Sequence, residues 1–134
     1  AVVEGSDDAL CKFAVNDWAV SDRAGRNVRV ASIAAAIGRR GQWMVIAPGT
    51  ACYRCIFEDP PPPELLSSCQ IAGVLGPVVG QVGALAARSL VAVLRGNADF
   101  ASGALVRRLP GGMRRTPVDT AVKCRCQKGW RACG

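Results

Sequence analysis

The chain has 134 residues and a mass of 14.0 kDa, room for one domain and too little for two full-sized ones. Half of the residues are apolar, 5% are aromatic and a fifth are charged, which excludes a disordered polyelectrolyte and indicates an aliphatic core. Histidine is absent, which excludes His-based general acid–base catalysis, Ser-His-Asp and Cys-His pairs and His-ligated zinc.

The net charge of +7 is unevenly placed. Residues 1–106 balance nine basic against nine acidic side chains, while residues 107–134 carry eight basic ones against Asp119 alone. Such a stretch attracts anions, whether phosphate, nucleic acid or an acidic protein face, or is simply a solvated tail.

Ala1-Val2-Val3 reads as the end of a buried strand, with Glu4-Gly5-Ser6-Asp7-Asp8 as the loop at its carboxyl end. Ser6 or Asp7 is the expected N-cap of a helix over about Ala9–Ala19. Val28–Ile37 reads as a strand that leads through Gly38-Arg39-Arg40-Gly41 into an antiparallel one over Gln42–Ile46. Pro48-Gly49 then turns the chain towards Cys52. Pro60–Pro63 is stiff and extended, unsuited to helix or central strand, and reads as a strap.

Ser67-Ser68 is placed to cap a long apolar helix over Ile71–Arg95. In it Gly73, Gly76, Gly80 and Gly83 recur at three- and four-residue steps and leave one face nearly bare for close backbone approach. Pro77, Gln81 and Arg88 interrupt the apolar run of ~20 residues that a membrane span needs, so no membrane association is expected. Gly103–Arg108 and Met113–Val118 read as a hairpin joined at Pro110-Gly111-Gly112. This order predicts a single α/β domain over residues 1–134, with a mixed sheet whose second half is antiparallel. The strand, Gly-rich turn and helix that open an α/β nucleotide-binding domain are absent from the sequence.

Seven cysteines are an odd number in a core-rich chain, and Ala1-Val2-Val3-Glu4 has no signal-peptide pattern. The expected setting is therefore a reducing, cytoplasmic one, with cysteines used for metal binding or sulfur chemistry. Cys52-Tyr53-Arg54-Cys55 is a CxxC knuckle, and Cys124-Arg125-Cys126 is a tighter pair far along the chain. Two separated pairs are the usual way to assemble a tetrahedral thiolate zinc site, here clipping the tail to the middle of the domain. Cys133 is an alternative to one member of the second pair, and reduced, packed thiols are the plain alternative to any metal.

Cys69 stands alone ahead of the long helix, whose N-terminus would favour its thiolate, although an inert thiol is the simpler reading. Cys11, on the early helix, is expected to be packed. Asp7 falls where an α/β sheet places ligands and Mg²⁺, and Asp8, Lys12 and Asn16 extend a polar cluster along the following helix. A helix that merely begins with acidic residues looks the same.

Taken together, Cys52-Tyr53-Arg54-Cys55-Ile56-Phe57, the Pro60–Pro63 run, Ser68-Cys69 and the segment from Ala72 to Gly80 resemble the ThiF/HesA/MoeB family. Its members are adenylyltransferases that activate ubiquitin-like sulfur carriers. Glu4-Gly5-Ser6-Asp7-Asp8 with Lys12 and Asn16 is similar to that family's Asp-x-Thr-Asp-Asn followed by Arg and Asn. Gly41-Gln42 is similar to its Glu-Gly-Gln strand, and Cys124 and Cys126 to its second zinc pair.

The resemblance implies the carboxyl-terminal half of a Rossmann-like, ubiquitin-activating-type fold with a Cys-ligated zinc knuckle. It implies ATP and Mg²⁺, adenylation of a carrier's C-terminal Gly-Gly carboxylate, and a homodimer. Asp7 matches the metal- and phosphate-side aspartate, Lys12 an arginine facing the phosphates, and Asn16 a further nucleotide-side residue. Cys69 matches a thiol that some members use to accept sulfur or acyl groups. The family's first half, with its Gly-rich phosphate turn, has no counterpart among these residues, so a nucleotide-binding half in cis or trans is expected to complete the enzyme. The isolated chain is then expected to be inactive. Lys in place of Arg lacks the planar fork that grips a phosphate. A degenerate, non-catalytic carrier-binding module is the alternative. A zinc-bearing nucleic-acid binder is disfavoured, because Trp130 is the only aromatic in the basic stretch.

Overall fold

The computed structural model describes residues 1–21, 29–62, 73–97, 102–121, 124 and 126. Strand β1 (Val2–Glu4) leads into helix α1 (Ala9–Val20). Asp8 caps that helix: its Oδ1 accepts from the backbone N–H of Leu10 at 2.7 Å and of Cys11 at 3.4 Å. The expectation that Ser6 or Asp7 does so is corrected. Ser6 is instead turned back on Glu4, whose Oε1 accepts from both its backbone N–H and its hydroxyl.

Strands β2 (Ala31–Ile37) and β3 (Arg40–Ile46) form the expected antiparallel pair. Its connection is tighter than the sequence indicates. Gly38 adopts φ +55°, which reverses the chain within two residues and lets Ile37 pair directly with Arg40. After a 3₁₀ turn at Tyr53–Cys55, helix α2 spans Gly76–Leu94, and the hairpin β4 (Ala104–Leu109) and β5 (Gly112–Pro117) closes the chain's regular structure. The five strands lie in the order β1-β2-β3-β4-β5, with β1 parallel to β2 and the remaining pairs antiparallel. The mixed α/β sheet expected from the sequence is thus what forms.

Alternation along the strands sends successive side chains to opposite faces. Ile33, Met44, Ile46 and Leu105 face α1 and the Tyr53 turn, where Phe13, Ala19 and Tyr53 complete one core. Ala34, Trp43 and Val106 face α2 and pack on Val78, Val82 and Ala86. Trp43 is fully buried, and its indole N–H donates to Ser89 Oγ at 3.1 Å, so the largest core side chain leaves no orphaned donor.

The described helix α2 has Leu75 at its N-cap position; Ser67, Ser68 and Ile71, where the sequence reading begins it, lie outside the described residues. Gly73 at φ +65° and a bridge between Val74 and Gly38 hold the chain extended up to Leu75. Pro77 then sits in the first turn, where its missing N–H costs nothing. The helix is long and apolar enough to cross a membrane by length and composition, with a mean hydropathy of 1.6 despite Gln81 and Arg88. Here one side of it lies on the sheet through Val78, Val82, Ala86, Ser89 and Leu90.

The glycine face does not make the close approach expected of it. A Cβ added to Gly76, Gly80 or Gly83 would meet open space. The tight contact is on the strand side: a Cβ on Gly41 would overlap Val82 Cγ2 and sit 3.5 Å from the carbonyl oxygen of Ala35. Val82 is buried and β-branched, hence stiff at χ1 inside a helix. Gly41→Ala should therefore destabilise the protein by about 1–3 kcal/mol in denaturant unfolding. Val82→Ala in the same chain should recover part of that loss, because it removes the methyl that overlaps.

Candidate functional site

A cleft of about 350 Å³ opens where the β1–α1 loop, the exposed end of β3 and the Tyr53 turn meet. Asp7, Lys12, Gln42, Tyr53, Phe57 and Asp59 line it. Asp7 and Asp8 have separate tasks: Asp8 is spent on capping α1, and Asp7 stays exposed at the cleft. Asp59 from the far wall brings a second exposed carboxylate to the same space, which is the oxygen chemistry a divalent cation such as Mg²⁺ takes.

Lys12 is buried, and its ammonium spends all three donors inside the protein. Nζ donates to Glu4 Oε2 at 2.6 Å, to the Ser6 carbonyl oxygen at 2.5 Å and to the Ala34 carbonyl oxygen at 2.8 Å. Together with Glu4 it fixes Ser6, and so the path of the loop that carries Asp7. Asn16 is fully buried one turn further on. Its Oδ1 accepts from the backbone N–H of Tyr53 at 2.8 Å, and its Nδ2 donates to Asp17 Oδ1 at 3.1 Å. Both residues expected to face the nucleotide are thus engaged in holding the walls of the cleft.

Sequence reasoning did not find the partner of that clamp. Arg54 makes a two-pronged contact with Asp17, Nε to Oδ1 at 2.7 Å and Nη2 to Oδ2 at 2.9 Å. Its guanidinium also stacks 4.8 Å above the Phe13 ring and reaches Asp59 at 3.1 Å. The Asp17 carboxylate strengthens its hold on the proton and raises its pKa further. Only the central position of Arg54 in CxxC and the single carboxylate of helix α1, Asp17, could have signalled this.

The four cysteines of the two pairs come together. Their sulfurs all lie within 4.8 Å of one another, with Cys52 to Cys124 and Cys55 to Cys126 both at 3.4 Å and Cys52 to Cys55 at 3.9 Å. Tetrahedral zinc with ~2.3 Å bonds to sulfur needs sulfurs about 3.8 Å apart, so the donor set and its spacing fit one such ion. Burial pushes the Cys52 thiol up to about 12, and burial together with the Cys124 and Cys55 thiols raises Cys126. Burial acts in the same sense on Cys55, but hydrogen bonds from the N–H groups of Ala121 and Cys52 and from the neighbouring thiols outweigh it and lower its pKa. Cys126 is the fourth member of the cluster among the described residues; Cys133 and Cys69 both lie outside them.

Residues 1–127 match the ThiF family, and the chain belongs to it. Among curated relatives it is 34% identical over 106 residues to the adenylyltransferase and sulfurtransferase MOCS3 of Aedes aegypti, covering 78% of this chain and 23% of that protein. It is 35% identical to MOCS3 of Dictyostelium discoideum, over 99% of this chain and 30% of that protein. The chain thus spans less than a third of these relatives. Among solved structures, E. coli MccB superposes with a TM-score of 0.67 at 15% identity, over 92% of this chain and 38% of that one, which supports the fold.

Cys11 departs from expectation, because it is exposed on α1 and not packed. Its Sγ lies 3.4 Å from Asp8 Oδ2, and the hydrogen bond to that carboxylate holds the thiol above its usual range. A raised acid constant means less thiolate at any given pH. Cys11 should accordingly be alkylated more slowly at pH 8 than its exposure suggests. Asp8→Asn, which keeps a capping oxygen, should move its labelling profile to lower pH in site-resolved mass spectrometry.

Proposed function

We propose that this chain supplies the carboxyl-terminal half of an adenylation site that activates the C-terminal glycine of a ubiquitin-like sulfur carrier. The observation that carries the proposal is the exposed Asp7 carboxylate in a cleft of a ThiF-family fold, on a loop whose conformation is fixed from behind. Relatives named as adenylyltransferases and sulfurtransferases support the same chemistry. In this reading the carrier's terminal carboxylate attacks the α-phosphorus of ATP. The bond to the bridging oxygen breaks, pyrophosphate leaves, and an acyl-adenylate remains. Asp7 would offer an oxygen to the Mg²⁺ that accompanies the phosphates, and Asp59 lines the same cleft.

Lys12 and Asn16 act as positioning residues, since their donors and acceptors are taken. Positive charge for the phosphates then comes from the nucleotide-binding half, in cis or in trans. The homodimer is carried over from the family resemblance, and the reducing, cytoplasmic setting from the cysteine usage of the sequence. By the family resemblance Cys69 belongs to the same proposal as a thiol that accepts sulfur or acyl groups after adenylation, an acyl group by displacing AMP from the acyl-adenylate. A non-catalytic carrier-binding module is the second reading, favoured by the engagement of Lys12 with protein oxygens alone.

ATP–pyrophosphate exchange separates the two. The full-length protein with a Gly-Gly carrier should catalyse exchange, and the 134-residue chain alone should not. Asp7→Ala in the full-length protein should lower exchange about a hundredfold or more, whereas Asp8→Asn should leave it near the parent level. Absence of exchange in the parent with every carrier tried would favour the module.

We also propose a structural zinc on Cys52, Cys55, Cys124 and Cys126, clipping residues 124 and 126 to the Tyr53 turn. Metal analysis of freshly reduced protein should give about one zinc per chain. Because burial holds Cys52 and Cys126 protonated without metal, loading should release protons, and zinc affinity should rise with pH. Cys52→Ser should lower zinc content sharply and lower the melting temperature.

A further inference from the structure

Tyr53 carries a hydroxyl that the fold itself does not use. The residue stands in the 3₁₀ turn between Cys52 and Cys55 and is only 8% exposed. Its ring lies edge-on to Phe13 at 5.3 Å and tilted against Phe57 at 4.7 Å, and Asn16 Oδ1 accepts from its backbone N–H. Packing of this kind asks only for a ring, and phenylalanine would supply it. No hydrogen bond reaches the hydroxyl from any described residue. Every enclosed side-chain nitrogen or oxygen among the described residues has a partner, so this hydroxyl is the part of the side chain that meets open space. That space is the cleft, which Tyr53 lines.

Donors are scarce in the rest of the lining. Asp7 and Asp59 bring carboxylates, which only accept, and Phe13, Phe57 and Pro61 bring no polar side chain at all. Lys12 has three donors, and Glu4, Ser6 and Ala34 take them. Among the described lining residues, the Tyr53 O–H and the Gln42 amide are therefore the side-chain donors left for a ligand. The two differ in how firmly they are held. Gln42 is a flexible side chain, half-buried on β3. The Tyr53 hydroxyl is fixed by a ring that two other rings enclose. A phenol is protonated at neutral pH, so it meets an anion as a donor. A donor that needs no reorganisation is worth most where the charge of a reacting group must be held.

We propose, resting on the adenylation reading, that Tyr53 is a catalytic residue whose hydroxyl donates a hydrogen bond to a non-bridging oxygen of the α-phosphate. In that step an oxygen of the carrier's carboxylate bonds to the α-phosphorus. The bond to the bridging oxygen breaks, and its electron pair leaves on pyrophosphate. Tyr53 keeps its proton from start to finish, so it alters no proton count. The α-phosphorus changes shape as it passes from ATP to the acyl-adenylate, and a donor that cannot follow it favours one shape over the others. That is differential binding of the transition state, and it acts on the rate constant more than on affinity for ATP. Since the fold gains no hydrogen bond from the hydroxyl, its retention in a buried ring serves the cleft and not stability.

The test uses the full-length protein and its Tyr53→Phe variant, which keeps the ring and removes one oxygen. The melting temperature of the variant should stay level or rise, because no hydrogen bond within the protein is lost. With a Gly-Gly carrier and ATP, formation of the acyl-adenylate in a single turnover should slow by about ten- to a hundredfold. In steady-state ATP–pyrophosphate exchange, KM for ATP and KM for the carrier should stay within about twofold of the parent. A single-turnover rate within about twofold of the parent, or a loss confined to KM for the carrier, overturns the assignment of Tyr53. So does a fall in melting temperature, which would give the hydroxyl to the fold. Failure of the adenylation reading looks different: the parent itself then forms no acyl-adenylate with any Gly-Gly carrier, and the role of Tyr53 falls with it.

Discussion

The clamp between helix α1 and the cysteine knuckle is the constraint from which the site follows. Asn16 takes the backbone N–H of Tyr53, and Asp17 takes the guanidinium of Arg54, so two successive residues of one helix grip two successive residues of one tight turn. Phe13 reinforces the grip, edge-on to Tyr53 at 5.3 Å and beneath Arg54. The same helix is capped at its other end by Asp8 and anchored there by Lys12. One rigid element therefore fixes both the loop bearing Asp7 and the turn bearing Cys52 and Cys55. The cleft and the thiol cluster are two ends of a single mechanical unit.

Burial sets how each charged group in that unit behaves. Lys12 sits below the surface, where an unpaired ammonium would be very costly, and it is tolerated because a carboxylate and two carbonyl oxygens surround it. That arrangement makes it unavailable to a ligand but well suited to holding a loop. Asp7, left exposed, keeps its carboxylate for whatever enters the cleft. The thiols obey the same rule. Desolvation disfavours thiolates at Cys52 and Cys126, and a divalent cation at the centre of the cluster would reverse that preference.

Several features were legible in the residues because they depend on local chemistry. The cysteine pairs announced a four-sulfur cluster by spacing, and the fold assembled it from Cys52, Cys55, Cys124 and Cys126. The hairpin at Pro110-Gly111-Gly112 and the antiparallel pair across Gly38 followed from turn residues between apolar runs. Less legible were the exact cap of α1 and the start of α2. The cap depends on a choice between neighbours that residue type leaves open, Glu4 turning Ser6 away from it, and the start of α2 on a residue distant in sequence, Gly38 holding Leu75 in an extended bridge.

The sequence by itself determined the alternation that makes a mixed sheet, the cysteine set and the loop that offers Asp7, because each is written in spacing and residue type. Only the tertiary structure decided which of the neighbouring polar residues face solvent. Lys12 and Arg54 are alike to any local rule, yet Lys12 is buried and Arg54 only partly so. They part company because the protein interior admits a charge only where partners from other elements meet it. Likewise Arg40, Arg107 and Arg114 become one basic face through strand register alone, a long-range pairing that no window of sequence contains.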